Sequence, residues 1–446
     1  MKRFVALFHT NVFVRNSVVL FTGTMASNLA NYLFHFIMGR MVPAPVYGEM
    51  ESIVSLLIIV SVPGAAIAMI ATRYAAAAKA KESPAESRAV FSHINRGVSR
   101  FAIPAFILAL ILTPQAMDFL KVNHATPVLF LWGMMFLSFF SSVASGMLSG
   151  WQRFFAVGVT QTIGSIAKLA FAVLFVWLGF EISGIIGAFL LSSIIGYALS
   201  LLVIHRIDAV DRESAASDAP EPVMDFSSIR SYVVPALVTS LSVAMLGNAD
   251  MVLAKYHLSP DEAGLYGALF IVSKTIFFAG GILSAVMFSM SSEEHEKIRE
   301  NGGSTSSVLR HSLGLSVIFC IGSVTFFALF PDFILSIFFG NRYLIGSPYL
   351  GWFALAAGLY TLANFFLQYL LSIKRTTVAW VMLGIAILEA GAIFFVAKDM
   401  PDVIFATVLA QGLALLAGVI WYVKARKMRY TGQEARNTGV LFDVPL

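Results

Sequence analysis

Long apolar runs separated by short polar breaks dominate the chain. Stretches of about 20 apolar residues match the hydrocarbon core of a bilayer. They recur about twelve times, near 16–38, 52–74, 101–120, 127–149, 155–179, 183–204, 231–254, 265–290, 311–335, 350–372, 377–397 and 402–423. The pattern predicts an all-α polytopic membrane protein of about twelve transmembrane helices, in two lobes of six.

Polar residues inside these runs fall on particular helical faces. Lys168 lies near the middle of the apolar run 154–180, with Gln161 and Ser165 seven and three residues before it on the same face. A central ammonium costs about 2.5–3.5 kcal/mol to insert, so Lys168 is expected to face a partner, an aqueous cavity or a substrate rather than lipid. In the first span Ser17, Thr24, Asn28, Asn31 and His35 form a stripe. It suits either a cavity wall or hydrogen bonding between helices. Ser138, Ser141, Ser142, Ser145 and Ser149 share one side of the fourth span with Gly146, where helix packing is the stronger explanation. Thr361, Asn364, Gln368 and Ser372 make a stripe in the tenth span, and Glu389 stands alone in the eleventh. Lys274, about ten residues into the eighth span, lies too deep to snorkel and calls for a polar cavity or an anion.

Composition agrees with this picture. The 446 residues are 58% hydrophobic and 12% charged, against about 25% charged in soluble domains. Cys320 is the single cysteine, which excludes an intrachain disulfide, and no Cys/His metal set is spaced along the chain. Neither Glu293-Glu294-His295-Glu296 nor Asn301-Gly302-Gly303-Ser304 completes a zinc-protease or phosphate-loop signature. Residues 1–14 read as an interfacial amphipathic piece rather than a cleavable signal, and the tail carries no lipidation motif. With the N-terminus inside, 23 of the 30 basic residues fall in the cytosol, so the positive-inside rule puts both termini there. The net charge of +5 needs no nucleic-acid partner, since anionic inner-leaflet lipid accounts for it.

The hydrophilic stretch around Asp208, Asp211, Glu213, Asp218 and Asp225 reads as a linker, which divides the chain into a lobe at 1–205, a cytosolic linker at 206–228 and a lobe with a cytosolic tail at 229–446. The halves look repeated: Val42 to Gly48 has a counterpart in Leu258 to Gly267. Aligning Arg153 with Lys374 sets Lys168 opposite Glu389, each fifteen residues on, as a potential pair across a central cavity.

Gly39-Arg40-Met41-Val42-Pro43, followed by Tyr47-Gly48, resembles the first hairpin of the polysaccharide-export or oligosaccharide flippase family of the multidrug/oligosaccharidyl-lipid/polysaccharide (MOP) exporter superfamily. The resemblance continues at Gly150-Trp151-Gln152-Arg153-Phe154, at Gly179 to Gly187, and from Asn248 through Asp250 to Tyr266. Met41-Val42-Pro43 departs from the usual Leu-Gly-Pro, and Phe288-Ser289-Met290-Ser291 lacks a Pro common in relatives.

The resemblance implies a flippase that moves a polyprenyl-diphosphate-linked glycan across the bacterial cytoplasmic membrane by alternating access, without catalysis. Asn28, Asn31, His35, Gln161, Lys168, Asp250, Lys274, Asn364, Gln368 and Glu389 would line its cavity. The lysines would compensate the diphosphate, and Asn and Gln would meet sugar hydroxyls. No cofactor is implied; coupling to H+ or Na+ would need a carboxylate such as Glu389 or Asp250. Partners would be membrane lipid and glycan-assembly proteins. A cation-coupled multidrug exporter of the same superfamily should favour acidic groups in its cavity. A membrane-embedded glycan polymerase or glycosyltransferase, or a scaffold for glycan assembly, are the alternatives from other classes.

Overall fold

A computed structural model describes the backbone of residues 12–81, 83–212, 226–301, 306–373 and 375–437, and the side-chain surroundings of 22–81, 83, 85–206, 233–281, 311–373 and 375–425. Residues 1–11 of the expected interfacial piece, 213–225 of the linker and the last nine residues of the tail lie outside the described residues.

Helices account for all the regular structure among the described residues. The first half comprises α1 (Val12–Met41), α2 (Ala44–Val60), α3 (Val62–Ala80), α4 (Pro84–Ile111), α5 (Thr113–Leu120), α6 (Ala125–Gly150), α7 (Phe154–Trp177) and α8 (Glu181–Arg212). The second comprises α9 (Phe226–Leu246), α10 (Ala249–His257), α11 (Pro260–Asn301), α12 (Ser306–Leu329), α13 (Pro331–Phe338), a 3-10 turn (Asn341–Gly346), α14 (Ser347–Ser372), α15 (Thr377–Val396) and α16 (Met400–Asn437). Among the described residues nine helices are long and apolar enough to cross a bilayer, and eleven spans result when the bent pairs α2/α3 and α9/α10 each count as one. At 30 residues α1 runs about 45 Å, enough for a twelfth. This is the all-α polytopic fold that the apolar runs predict.

Local chemistry explains the breaks. The second span bends by 43° at Ser61, where Pro63 sits in the first turn of α3 and cannot donate to the preceding helix. The basic stretch between Arg73 and Arg100 is largely helix. Ala75 to Ala78 carry α3 on to Ala80, and Ser83 caps α4 by accepting from the Glu86 amide at 3.2 Å. A reciprocal cap opens α11: Glu262 accepts from the Ser259 amide at 3.1 Å and hydroxyl at 2.7 Å.

The repeat is visible in element order. A short helix follows the third span of each half, α5 in one and α13 in the other. Corresponding neighbours pack in both halves: α6 on α8 and α14 on α16, α4 on α6 and α12 on α14.

Two compact units form, Met1–Ala244 with Met251–Ala268, and Met245–Asp250 with Leu269–Leu446. Segment 251–268 packs into the first unit, and its glycine explains how. A Cβ on Gly264 would run into the backbone carbonyl of Ala44, and one on Gly48 would lie 2.6 Å from the Gly264 amide nitrogen. Only two glycines allow the hairpin turns to approach so closely.

Candidate functional site

A cavity of about 520 Å³ opens inside the first unit between α1, α3, α6, α7 and α8. Helix α7 can stand against α1 because Gly23 faces Gly158, where a Cβ would come within 2.9 Å of the neighbouring Cα. Lys168 is the charged residue among those lining the cavity.

Lys168 is held from three sides. Its Nζ donates to Asn31 Oδ1 at 2.5 Å and lies 4.6 and 4.5 Å from the ring centres of Phe34 and Phe189. These contacts replace part of the ammonium's lost hydration, since an aromatic face attracts a cation. The side chain is only 8% exposed. Behind it, on the next turn of α1, His35 Nδ1 lies 2.6 Å from Glu51 Oε1, and Glu51 is 1% exposed. Glu51 is also the carboxylate whose charge acts on Lys168.

The rest of the wall is unusually rich in hydroxyls. Ser138, Ser141, Ser142 and Ser145 line it from α6, while Gly146 packs on Ala68 and Ala71 of α3. Four serines of the stripe assigned above to packing thus line the cavity, and Ser142 also packs on Gly64 of α3. Many of these hydroxyls have already used their proton. Ser138, Ser142, Ser165, Ser192, Ser193 and Ser200 each donate to a carbonyl three or four residues earlier in their own helix. A hydroxyl that donates inward leaves its oxygen lone pairs for a ligand. The cavity therefore offers many hydrogen-bond acceptors and one cation.

A smaller cavity of about 40 Å³ lies in the second unit, lined by Asp250, Lys274, Tyr360, Thr407 and Gln411 among others. It forms where the chain breaks between α9 and α10. Gln411 Nε2 donates to the Leu246 carbonyl at 2.6 Å, satisfying an oxygen at the end of α9. Asp250 begins α10, where the helix dipole favours a carboxylate. Lys274 donates to Asn248 Oδ1 at 2.8 Å and stands 3.8 Å from the centre of the Phe270 ring. Glu389 is 3% exposed, and Asp250 is a charge that acts on it. Thr407 spends its proton on the Val403 carbonyl at 3.0 Å, and neither Glu389 oxygen has a partner within hydrogen-bond distance among the described residues.

The expected cavity residues thus separate. Asn31, Gln161 and Lys168 line the larger cavity, Asp250 and Lys274 the smaller, and Glu389 lies within reach of Asp250's charge. His35 sits behind the larger cavity on Glu51. Asn28 is half-buried but absent from the wall, because Ser27, one full turn before Asn31, takes that place. Asn364 is buried and Gln368 half-buried on α14, outside the lining of both cavities. Within the first unit Glu51 is the carboxylate whose charge acts on Lys168, and within the second Asp250 is the one whose charge acts on Glu389. Lys255 lies 3.7 Å from Glu49.

Sequence reasoning missed Glu51, Gln411 and Thr407. Glu49-Met50-Glu51 follows the outer turn directly and looks interfacial, although two acids heading an apolar run were a usable signal.

A family model described as polysaccharide biosynthesis protein matches residues 13–293. No curated protein matches the chain significantly. Among solved structures, an inward-facing multidrug resistance MATE family transporter of the MOP superfamily aligns with a TM-score of 0.72 at 13% identity, covering 94% of this chain and 98% of that one. An outward-facing MATE structure gives 0.60 at 16%, covering 94% and 95%. A MOP superfamily transporter from Pyrococcus furiosus, described as having a binding pocket of reverse polarity that suggests a different function, gives 0.55 at 17%, covering 94% and 96%.

Proposed function

The chain belongs to the polysaccharide biosynthesis protein family, and from that premise we propose that it is a flippase. It carries a lipid-linked oligosaccharide or polysaccharide precursor from the inner to the outer leaflet of the bacterial cytoplasmic membrane by alternating access. The fold is that of MOP superfamily transporters.

The observation that carries this reading is the composition of the larger cavity. A polyprenyl-diphosphate glycan brings an anion that can only accept hydrogen bonds and sugar hydroxyls that can donate them. Lys168 supplies a charge for the first, and serine oxygens supply acceptors for the second. The prenyl chain stays in lipid. A cationic drug would meet the Lys168 ammonium instead, and like charges repel strongly where water is excluded. Lys274 supplies a cation to the smaller cavity of the second unit. If H+ or Na+ drives the cycle there, the carboxylates to hold it are Asp250 and Glu389, whose oxygens suit a hard cation or a proton.

Export of the cell's surface glycan tests the assignment. Lys168→Ala and Lys274→Ala should reach the membrane at normal levels, and the double variant should lose export. Normal export by the double variant would remove the anion-binding role.

A further inference from the structure

Lys168 and its neighbours form a charge system larger than an anion site needs. Two groups able to carry positive charge, Lys168 and His35, are served by one buried carboxylate, Glu51. Asn31 and His35 are one turn apart on α1, so the residue that holds Lys168 and the residue that holds Glu51 share a helix face. Glu51 is sealed on its far side by α11, where a Cβ on Gly267 would lie 3.2 Å from Glu51 Cγ. Beside Lys168, Phe34 makes an edge contact with the His35 ring at 5.1 Å. The titratable groups on these elements include Tyr32, His35 and Arg40 on α1, Tyr47, Glu49 and Glu51 on α2, Lys168 on α7, Glu181 and Tyr197 on α8, and Asp261, Glu262 and Tyr266 on α11, which also brings the backbone of Gly267.

We infer that the His35–Glu51 pair is a proton-loading site linked to anion occupancy at Lys168. With the cavity empty, Glu51 balances Lys168, and a proton on His35 adds a second cation beside a single buried carboxylate. An anion bound at Lys168 takes over that compensation, and Glu51 is then free to stabilise imidazolium. Imidazole is the side chain whose ordinary titration lies near neutral pH, which suits it to this exchange. Anion and proton therefore bind together: the proton adds to the free nitrogen of the imidazole–carboxylate pair and leaves when the anion leaves. Linkage is reciprocal, so an anion that raises proton affinity must itself bind more tightly as pH falls. The consequence is a proton that accompanies the substrate, at a place separate from Asp250 and Glu389.

This inference rests on the diphosphate reading of the cavity, and one experiment separates the two. Bind farnesyl diphosphate to the purified protein in detergent by calorimetry, between pH 6 and 8, in buffers of different ionisation enthalpy. The wild type should take up a fraction of a proton beyond what His35→Gln takes up, and its affinity should tighten with falling pH by up to about tenfold per unit more than the variant's. Subtracting the variant removes the ligand's own titration. Glu51→Gln, nearly isosteric, should abolish the excess in the same way and serves if His35→Gln does not fold. Equal proton uptake in wild type and variants, with binding intact, overturns the coupling alone. No binding by the wild type at any pH overturns the diphosphate reading and the coupling with it.

Discussion

Replacing Lys168 with methionine removes the charge while keeping an unbranched chain between Phe34 and Phe189. The two effects of this change oppose each other in stability and add in function. For the empty protein, the variant loses a charge-assisted hydrogen bond to Asn31 and two ring contacts, but it no longer holds a desolvated ammonium that is 8% exposed. Each ring contact contributes about 0.5–2 kcal/mol and the charged hydrogen bond about 1.5–3, while burying an ion costs several kcal/mol. These nearly cancel, so the melting temperature in detergent should move by only a few degrees. With an anion present nothing offsets the loss. A charge-assisted contact of about 2–3 kcal/mol corresponds to a roughly 30- to 150-fold weaker Kd for a prenyl diphosphate. The assay is equilibrium binding of a fluorescent prenyl diphosphate, alongside a melting curve for each protein. Affinity within about twofold of wild type, with the fold intact, would refute the reasoning.

Three other outcomes follow from the same physical picture. In a variant lacking Cys320, Arg88→Cys and Ala216→Cys should label only from the cytosol and Asp261→Cys only from outside; labelling of Ala216→Cys in intact cells would reverse the orientation. Gly264→Val should cost about 3 kcal/mol or more, since its Cβ meets the Ala44 backbone rather than a movable side chain, and should appear as lost folded protein after extraction, whereas Gly97→Ala, with open space around it, should behave as wild type. Glu389→Gln should leave the melting temperature unchanged or raise it, because it removes a buried carboxylate without hydrogen-bond partners, and a fall of several degrees would mean that its charge is compensated after all.

Hydrophobic length made the spans legible, because a bilayer-crossing helix needs a run that no soluble domain requires. Lys168 and Asn31 were legible for the same reason: a polar group in such a run must find a partner, and here they found each other. The break at Ser61 was harder to see, since Val60 to Gly64 looks like unbroken apolar helix until Pro63 is placed in a first turn. Serines on α6 misled because small residues serve both packing and cavity walls. Here they do both, for Ser142 lines the cavity and also packs on Gly64 of α3, beside the contact of Gly146 with Ala68 and Ala71. Asn28 and Ser27 differ by one residue, and that step decides which reaches the cavity. The Lys168–Glu389 correspondence rested on equal depth in two repeats, whereas the charges that act locally are set by packing within each unit: Glu51 attracts Lys168, and Asp250 repels a charge on Glu389.

Flipping of a polyprenyl-diphosphate glycan by the purified protein in liposomes tests the central claim most directly. Glycan accessible to an impermeant reagent should exchange between leaflets with wild-type protein and stop with Lys168→Met, at equal levels of reconstituted protein. Exchange that is no faster than in protein-free liposomes, or that is equally fast with Lys168→Met, would contradict it.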